Sequence, residues 1–297
     1  MDYEKYDLKN KTIIITGSNA GLGKEIAKKI AKLNGHIIFA CRNEKKAMEA
    51  IKEVKDFTNN ENEKLEFIKL DLLSFESIKE FANEIKRREL QINILINNAG
   101  IMWLWEDLKW NNPITKIGCS QFNTQFFANY LGHFMLTQLL FDNLMENQAR
   151  ILNISSSVHS LSNFSLENLT ENTSYTFATY CQSKMAQILS TYQMHSQIES
   201  IESEKKATVN AVHPGIFASD IVNLPSPLDK LYFKIFKSAE YCARHIVKYA
   251  VYDEYQSISG KYFDDTKIIK TSKQSYDTNL SKQLWDKSME LIKDYIM

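Results

Sequence analysis

The sequence predicts an α/β fold: a single doubly wound parallel sheet of about seven strands, with helices on both faces. Three observations carry that reading. Short β-branched runs alternate with stretches of helical periodicity, the spacing of right-handed βαβ units. A glycine cluster at Gly17, Gly21 and Gly23 stands where the first such run hands over to a helix. No linker rich in proline, glycine or serine and no repeat interrupts the 297 residues. One domain over 1–297 is therefore expected, with a core at about 9–263 and a helical extension at 264–297.

The elements follow in order. Residues 11–16 form a β-branched run that reads as a buried strand. A helical pattern opens at Gly21 and stops near Asn34 and Gly35, a sound C-terminal signal. The second strand is 36–41 and the second helix about 43–57; the third strand is 65–69 and its helix, 74–88, has Ser74 as cap. A fourth strand at 92–96 precedes a helix at 121–144, and a fifth at 150–155 precedes a long helix at 177–198. A sixth strand at 207–213, short helices at 228–236 and 239–252, a last strand near 261–263 and a closing helix at 283–295 complete the chain.

Composition excludes several functions. Lys+Arg 36 balance Asp+Glu 36, which leaves no basic field for nucleic acid or an anionic membrane. The cysteines Cys41, Cys119, Cys181 and Cys242 lack CxxC spacing, which argues against zinc and a disulfide framework and fits a reducing, cytoplasmic setting. The first residues are too polar for a signal peptide, and no window nears the ~20 apolar residues of a spanning helix. Of only nine glycines, six (Gly17, Gly21, Gly23, Gly100, Gly132, Gly215) fall in the motifs that follow.

Thr16-Gly17-Ser18-Asn19-Ala20-Gly21-Leu22-Gly23 lies at a strand-to-helix junction. Glycines there let the backbone turn tightly and approach a pyrophosphate held at the helix N-terminus. A tight turn without a ligand is the plainer alternative, disfavoured by the position after the first strand of a βαβ unit. Tyr180 and Lys184 stand four residues apart in a helical run, so they share one face. A phenol titrates near pH ~10 in water, and a neighbouring ammonium favours the phenolate. Such a pair suits general acid–base work on an alcohol or carbonyl, although alone it reads as a solvated helix face.

With Asn97-Asn98-Ala99-Gly100 after the fourth strand and Pro214-Gly215 after the sixth, these two motifs resemble the short-chain dehydrogenase/reductase family from about residue 9 to 263. Ala40-Cys41-Arg42-Asn43 and Asn129-Tyr130-Leu131-Gly132-His133-Phe134-Met135-Leu136-Thr137 resemble its retinol-dehydrogenase-like branch. The resemblance implies a Rossmann fold and hydride transfer between a nicotinamide and a carbonyl or alcohol. It implies a catalytic set of Asn129, Ser156, Tyr180 and Lys184. Ser156 would donate to the substrate oxygen and Tyr180 deliver the proton. Lys184 would lower the Tyr180 pKa and hold the ribose hydroxyls, and Asn129 would anchor a water that resupplies protons through the lysine. Ser155 and Ser156 face opposite ways along a strand; the family pattern points to Ser156, with Ser157 as runner-up. His133 and His213 are read as structural.

Cofactor contacts are implied for Gly17, Ser18, Asn19, Gly21, Leu22 and Gly23 in the turn, and for the adenine-side pair Asp71 and Leu72. They are implied also for Asn98, Ala99 and Gly100, for Tyr180 and Lys184, and for Pro214, Gly215, Ile216 and Ser219. NAD enzymes of this fold place an acid near the end of the second strand. Cys41 stands there instead, followed by Arg42, whose guanidinium can bind a 2′-phosphate bidentately. NADP(H) is therefore expected, with Ser18 as a second contact. The plainer roles are a surface arginine for Arg42 and a loop cap for Asp71.

Met102, Trp103, Trp105 and Trp110, the loop 158–177, and the stretch 216–236 with Phe217, Leu224, Leu228, Tyr232, Phe233 and Phe236 are candidate pocket walls. An apolar, aromatic wall favours a lipophilic carbonyl or alcohol; core or partner surface is the even alternative. The rival function is a catalytically silent nucleotide-binding subunit or sensor, against which the intact four-residue set argues. A sugar-nucleotide epimerase would need another glycine spacing and a larger C-terminal domain. The habit of relatives allows a homodimer through the helices at 121–144 and 177–198.

Overall fold

β1 (Thr12–Thr16) is three isoleucines between threonines, buried along its whole length, as β-branched side chains covered on both faces should be. The computed structural model describes residues 5–58, 64–102, 115–117, 120–166, 177–215 and 238–296, with the backbone alone given at 115–117 and 120–122. In chain order β2 (His36–Cys41), β3 (Leu65–Lys69) and β4 (Ile92–Asn97) follow, then a separate hairpin of β5 (Thr115–Ile117) and β6 (Ser120–Phe122). β7 (Arg150–Ile154), β8 (Thr208–His213), β9 (Tyr262–Asp264) and β10 (Lys267–Ile268) complete the strands.

The main sheet runs β10-β9-β8-β7-β4-β1-β2-β3. Its seven expected strands pair in parallel, and an eighth, β10, turns back antiparallel on β9 at the edge. Strand order reverses at β1, whose neighbours β2 and β4 lead the chain to opposite sides. A crevice opens at the carboxyl ends of strands that diverge in this way.

Helices cover both faces: α1 (Gly21–Ala31), α2 (Glu44–Thr58), α3 (Phe75–Arg87), α4 (Thr124–Phe126), α5 (Gly132–Leu139), α6 (Phe141–Glu146), α7 (Phe177–Ser200), α8 (Ala239–Val251) and α9 (Thr278–Ile296). Side chains alternate along the strands. Ile13, Ile15 and Phe39 join Ile26, Ile30 and Ile246 in one core, while Ile14, Ile38 and Leu95 join Phe81, Leu131, Met185 and Trp285 in the other.

Two stretches differ from expectation. The helix expected over 121–144 begins only at Thr124, because Asn123 Oδ1 accepts the Gln125 N–H at 2.8 Å and caps it there. It continues through a π-helical turn at Phe127–Leu131, and Leu140, at φ −98° and ψ 2°, separates α5 from α6. The closing helix starts at Thr278 and lies along α3, α5 and α7. The expected helix at 228–236 lies outside the described residues.

The two helices expected to pair copies of the chain, α5 and α7, meet α9 of their own chain. The Trp285 ring packs edge-on against Phe134 with centroids 4.8 Å apart, and the Tyr130 hydroxyl lies 2.8 Å from Ser288 Oγ. Leu284 and Ile292 of α9 enter the same core as Leu136 and Leu189. Every residue from Gly132 to Thr137 and nearly every one from Thr179 to Leu189 is buried within the single chain.

Candidate active site

The crevice forms around Thr16, the last residue of β1. Its Oγ1 accepts the N–H groups of Asn98 and Ala99, each at 2.9 Å, while Asn98 Nδ2 donates back to the Thr16 carbonyl at 2.9 Å. These bonds fix the loop after β4 against the loop after β1. Gly17 takes φ +66°, and a Cβ there would stand 3.0 Å from Ala99 Cα. A Cβ on Gly23 would stand 2.6 Å from the Gly17 carbonyl oxygen, whereas one on Gly21 would meet nothing within 4 Å. The turn is thus closed on its protein side and open above α1, a cradle that a phosphate can approach.

The other sequence-expected cofactor residues lie around this turn. Asn19, Gly21, Gly100 and Gly215 are partly exposed, Ala99 also, and Leu22, Leu72 and Pro214 are buried beneath them. Arg42 is exposed immediately beyond β2. Ser18 differs from expectation. Its hydroxyl is buried and donates to the Ile15 carbonyl at 3.0 Å, with Cys41 Sγ at 3.5 Å. The side chain is thereby turned into the protein. Asp71 holds its own loop, accepting the Leu73 N–H at 3.0 Å, while Ser74 accepts from Ser77 and caps α3. Ile216 and Ser219 lie outside the described residues, as do Trp103, Trp105, Trp110 and the aromatic stretch 217–236.

The four expected catalytic residues converge beside the carboxyl end of β7. Ser155 is buried and donates to the Lys184 carbonyl at 2.9 Å, so it is held by α7. Ser156, the next residue, is partly exposed and accepts the Val158 N–H at 3.4 Å at the head of a 3₁₀ turn, Ser157–Leu161. His159, in that turn, donates from Nδ1 to the Ser156 carbonyl at 2.8 Å and accepts the Ser272 N–H at Nε2 at 3.3 Å.

Tyr180 and Lys184 share one face of α7, with Lys184 Nζ 5.5 Å from the centre of the Tyr180 ring. Lys184 is buried and donates to the Ile154 carbonyl at 2.8 Å and to Gln187 Oε1 at 3.1 Å. Burial without a partner anion pulls its pKa down to about 7.

Asn129 is buried in the π-helical turn, a local form common at functional sites. Its side chain accepts the Ile101 N–H at 2.8 Å and donates to the Ile101 carbonyl and to Ser183 Oγ, each at 3.0 Å. The amide therefore clamps the exit of β4 to α7. Its main-chain carbonyl accepts Gln187 Nε2 at 2.8 Å and His133 Nδ1 at 3.2 Å. With Nδ1 donating, His133 Nε2 accepts the Thr16 hydroxyl at 2.8 Å, and burial holds the imidazole neutral, its pKa pulled down to about 3. The Gln187 side chain thus links the Asn129 carbonyl to the Lys184 amine. Sequence reasoning passed over Gln187 and His159. The only signal for Gln187 was its position three residues past Lys184 on the same helix.

A model of the short chain dehydrogenase family matches residues 11–226. Mouse retinol dehydrogenase 13 is 34% identical, over 97% of this chain and 85% of its own length. Human polyprenol dehydrogenase is 33% identical, over 95% of this chain and 85% of its own. An uncharacterised protein from Mycobacterium paratuberculosis, known from its crystal structure, superposes with a TM-score of 0.75 at 26% identity, covering 97% of this chain and 95% of that one. A short chain dehydrogenase from Shigella flexneri, solved in complex with NADP, shares the fold with a TM-score of 0.67 at 20% identity, covering 89% and 100%. This chain belongs to the short chain dehydrogenase family of oxidoreductases, in its retinol-dehydrogenase-like branch.

Proposed function

We propose that the chain is an NADP(H)-dependent oxidoreductase that moves a hydride between the nicotinamide and a lipophilic carbonyl or alcohol. The observation that carries the reading is the buried Lys184 amine, 5.5 Å from the Tyr180 ring and tied to the end of β7 beside Ser156. The glycine turn fits the cofactor, being closed to side chains at Gly17 and Gly23 and open at Gly21. The nicotinamide, when bound, supplies or takes the hydride.

The protein's own groups handle the oxygen and its proton. Tyr180 gives its phenolic proton to the carbonyl oxygen as charge builds there, and in the reverse direction receives one from the alcohol. Ser156 donates a hydrogen bond to the same oxygen. Two of the three Lys184 N–H groups are held by Ile154 and Gln187, which leaves one for the phenol or a ribose hydroxyl. Asn129 acts from behind, keeping the loop after β4 and α7 in register.

NADP is favoured by Arg42, exposed beyond β2 where an acid would repel a 2′-phosphate. A lipophilic substrate is supported by Leu161 and Phe177, 69% and 37% exposed, which flank Ser156 and Tyr180 in sequence; Phe177 also stacks at 6.5 Å on the Tyr180 ring. The relatives named for retinol and polyprenol point the same way. Buried thiols at Cys41 and Cys181 suit a reducing, cytoplasmic setting, and among the described residues no helix is long and apolar enough to cross a membrane. The test is NADPH oxidation with a panel of long-chain and aromatic aldehydes and ketones. Turnover with apolar members supports the reading. Binding of NADPH without turnover across the panel would instead favour a catalytically silent nucleotide-binding role.

A further inference from the structure

We propose that His159 is a positioning residue for Ser156, clasping the turn after β7 to the C-terminal segment and, through that segment, to α7. Ser156 enters the turn in extended backbone, at φ −155° and ψ 152°, and its Oγ accepts the Val158 N–H at 3.4 Å. One lone pair is thereby engaged, and the hydroxyl proton is left to donate elsewhere. The Ser156 carbonyl is held twice by His159, by the main-chain N–H at 3.2 Å and by the ring Nδ1–H at 2.8 Å.

The far side of the ring is fixed in turn. Nε2 accepts the Ser272 N–H at 3.3 Å, and the ring meets Tyr262 edge to face with centroids 5.0 Å apart. The preceding residue, Thr271, has its Oγ1 2.9 Å from the Tyr192 hydroxyl of α7. Gln274 adds a second tie, accepting the Phe164 N–H at 3.0 Å and donating to the Phe164 carbonyl at 2.8 Å. A line of contacts therefore runs from α7, which carries Tyr180 and Lys184, through residues 271 and 272 to the imidazole and on to Ser156. It sets the serine against the helix that holds the phenol.

A neutral imidazole suits this task, because it offers one donor and one acceptor on different edges and each finds its complement here. The ring is 3% exposed, and burial pushes its pKa below the ordinary value, against the pull of Asp264 on β9. His213 at the end of β8 lies beside it and is likewise held toward its neutral form by burial.

The inference rests on the proposed function, and its test keeps the two apart. His159→Phe retains a ring against Tyr262 and removes both side-chain hydrogen bonds. His159→Asn retains a donor near the Ser156 carbonyl and gives up the ring. Hydrogen exchange of the full chain without cofactor reads the clasp directly, and in His159→Phe it should quicken by about tenfold across both 157–164 and 270–277. Turnover is followed with NADPH and the panel aldehyde that the wild type reduces fastest. The kcat should fall by about tenfold in the Phe variant and by less than about threefold in the Asn variant, with the Kd for NADPH unchanged in both. In a Ser156→Ala background the Phe substitution should cost less than about twofold more, because the group it positions is gone. Exchange at wild-type rates in His159→Phe, a larger loss with Asn than with Phe, or the same fold-loss with and without Ser156 would overturn the proposal. Quickened exchange in a protein that reduces no carbonyl would sink the enzyme reading and leave the clasp standing.

Discussion

Lys184 Nζ donates to the carbonyl oxygen of Ile154 at 2.8 Å, so the amine of α7 is tied to the last residue of β7. The group is buried, and its pKa falls from 10.5 to about 7 because water is excluded. Below about pH 7 the native and unfolded chains both carry the ammonium, and the native state bears the full cost of burying it. Above about 7 the native lysine loses its proton while the unfolded one keeps it to 10.5, so stability rises with pH across that window. Lys184→Met, apolar and of similar length, removes this cost. The variant without cofactor is expected to melt higher than wild type at pH 6–7 and to lose that advantage toward pH 10, while turnover is lost. Thermal melts of both proteins across that range check it. A constant difference at all pH values refutes the explanation.

Tyr180→Phe removes the proton donor and keeps the ring that packs against Phe177. Turnover is expected to fall by about 10²–10⁴-fold, the usual weight of a positioned acid–base group. Affinity for NADPH, followed by nicotinamide fluorescence, should stay within a few-fold. Wild-type turnover in this variant would remove Tyr180 from the mechanism.

Arg42→Ala addresses the phosphate. A charge-assisted hydrogen bond is worth about 1.5–3 kcal/mol, so the Kd for NADPH should rise by roughly 10–100-fold. The Kd for NADH, which lacks the 2′-phosphate, should hardly move. Because Ser18 is turned into the protein, Ser18→Ala should not add a comparable phosphate effect. Equal affinity of the wild type for NADH and NADPH would defeat the assignment.

How much of this was legible beforehand depended on how local each feature is. The strands announce themselves because covered parallel strands need unbroken runs such as Ile13, Ile14 and Ile15, and the glycine turn because only Gly17 and Gly23 fit where side chains would strike backbone. Tyr180 and Lys184 are readable from helical spacing once the glycine turn and the other motifs stand beside them. The two residues of β10 and the start of the helix at Asn123 are too short a signal for periodicity to register. The inward turn of Ser18, the amide bridge of Gln187 and the docking of α9 depend on partners from 3 to over 100 positions away, and such partners are set only when the chain has folded. Side-chain direction, more than element order, was hidden.

The docking of α9 yields the last prediction. Trp285 is 6% exposed and packs against Phe134, so Trp285→Ala empties a large volume in a core that spans α5, α7 and α9. A loss of about 3–5 kcal/mol is expected, read as a lower melting temperature or denaturant midpoint. The same packing, with α9 laid over α5 and α7 within one chain, predicts a monomer in solution. Light scattering after size exclusion should return the mass of one 34.4 kDa chain at every concentration tested. Removing the residues from Thr278 onward should expose Leu136, Leu189 and their neighbours and produce dimers or aggregates. A wild-type dimer cross-linked through α5 and α7 would show that α9 leaves this surface open, and the packing argument for Trp285 would fall with it.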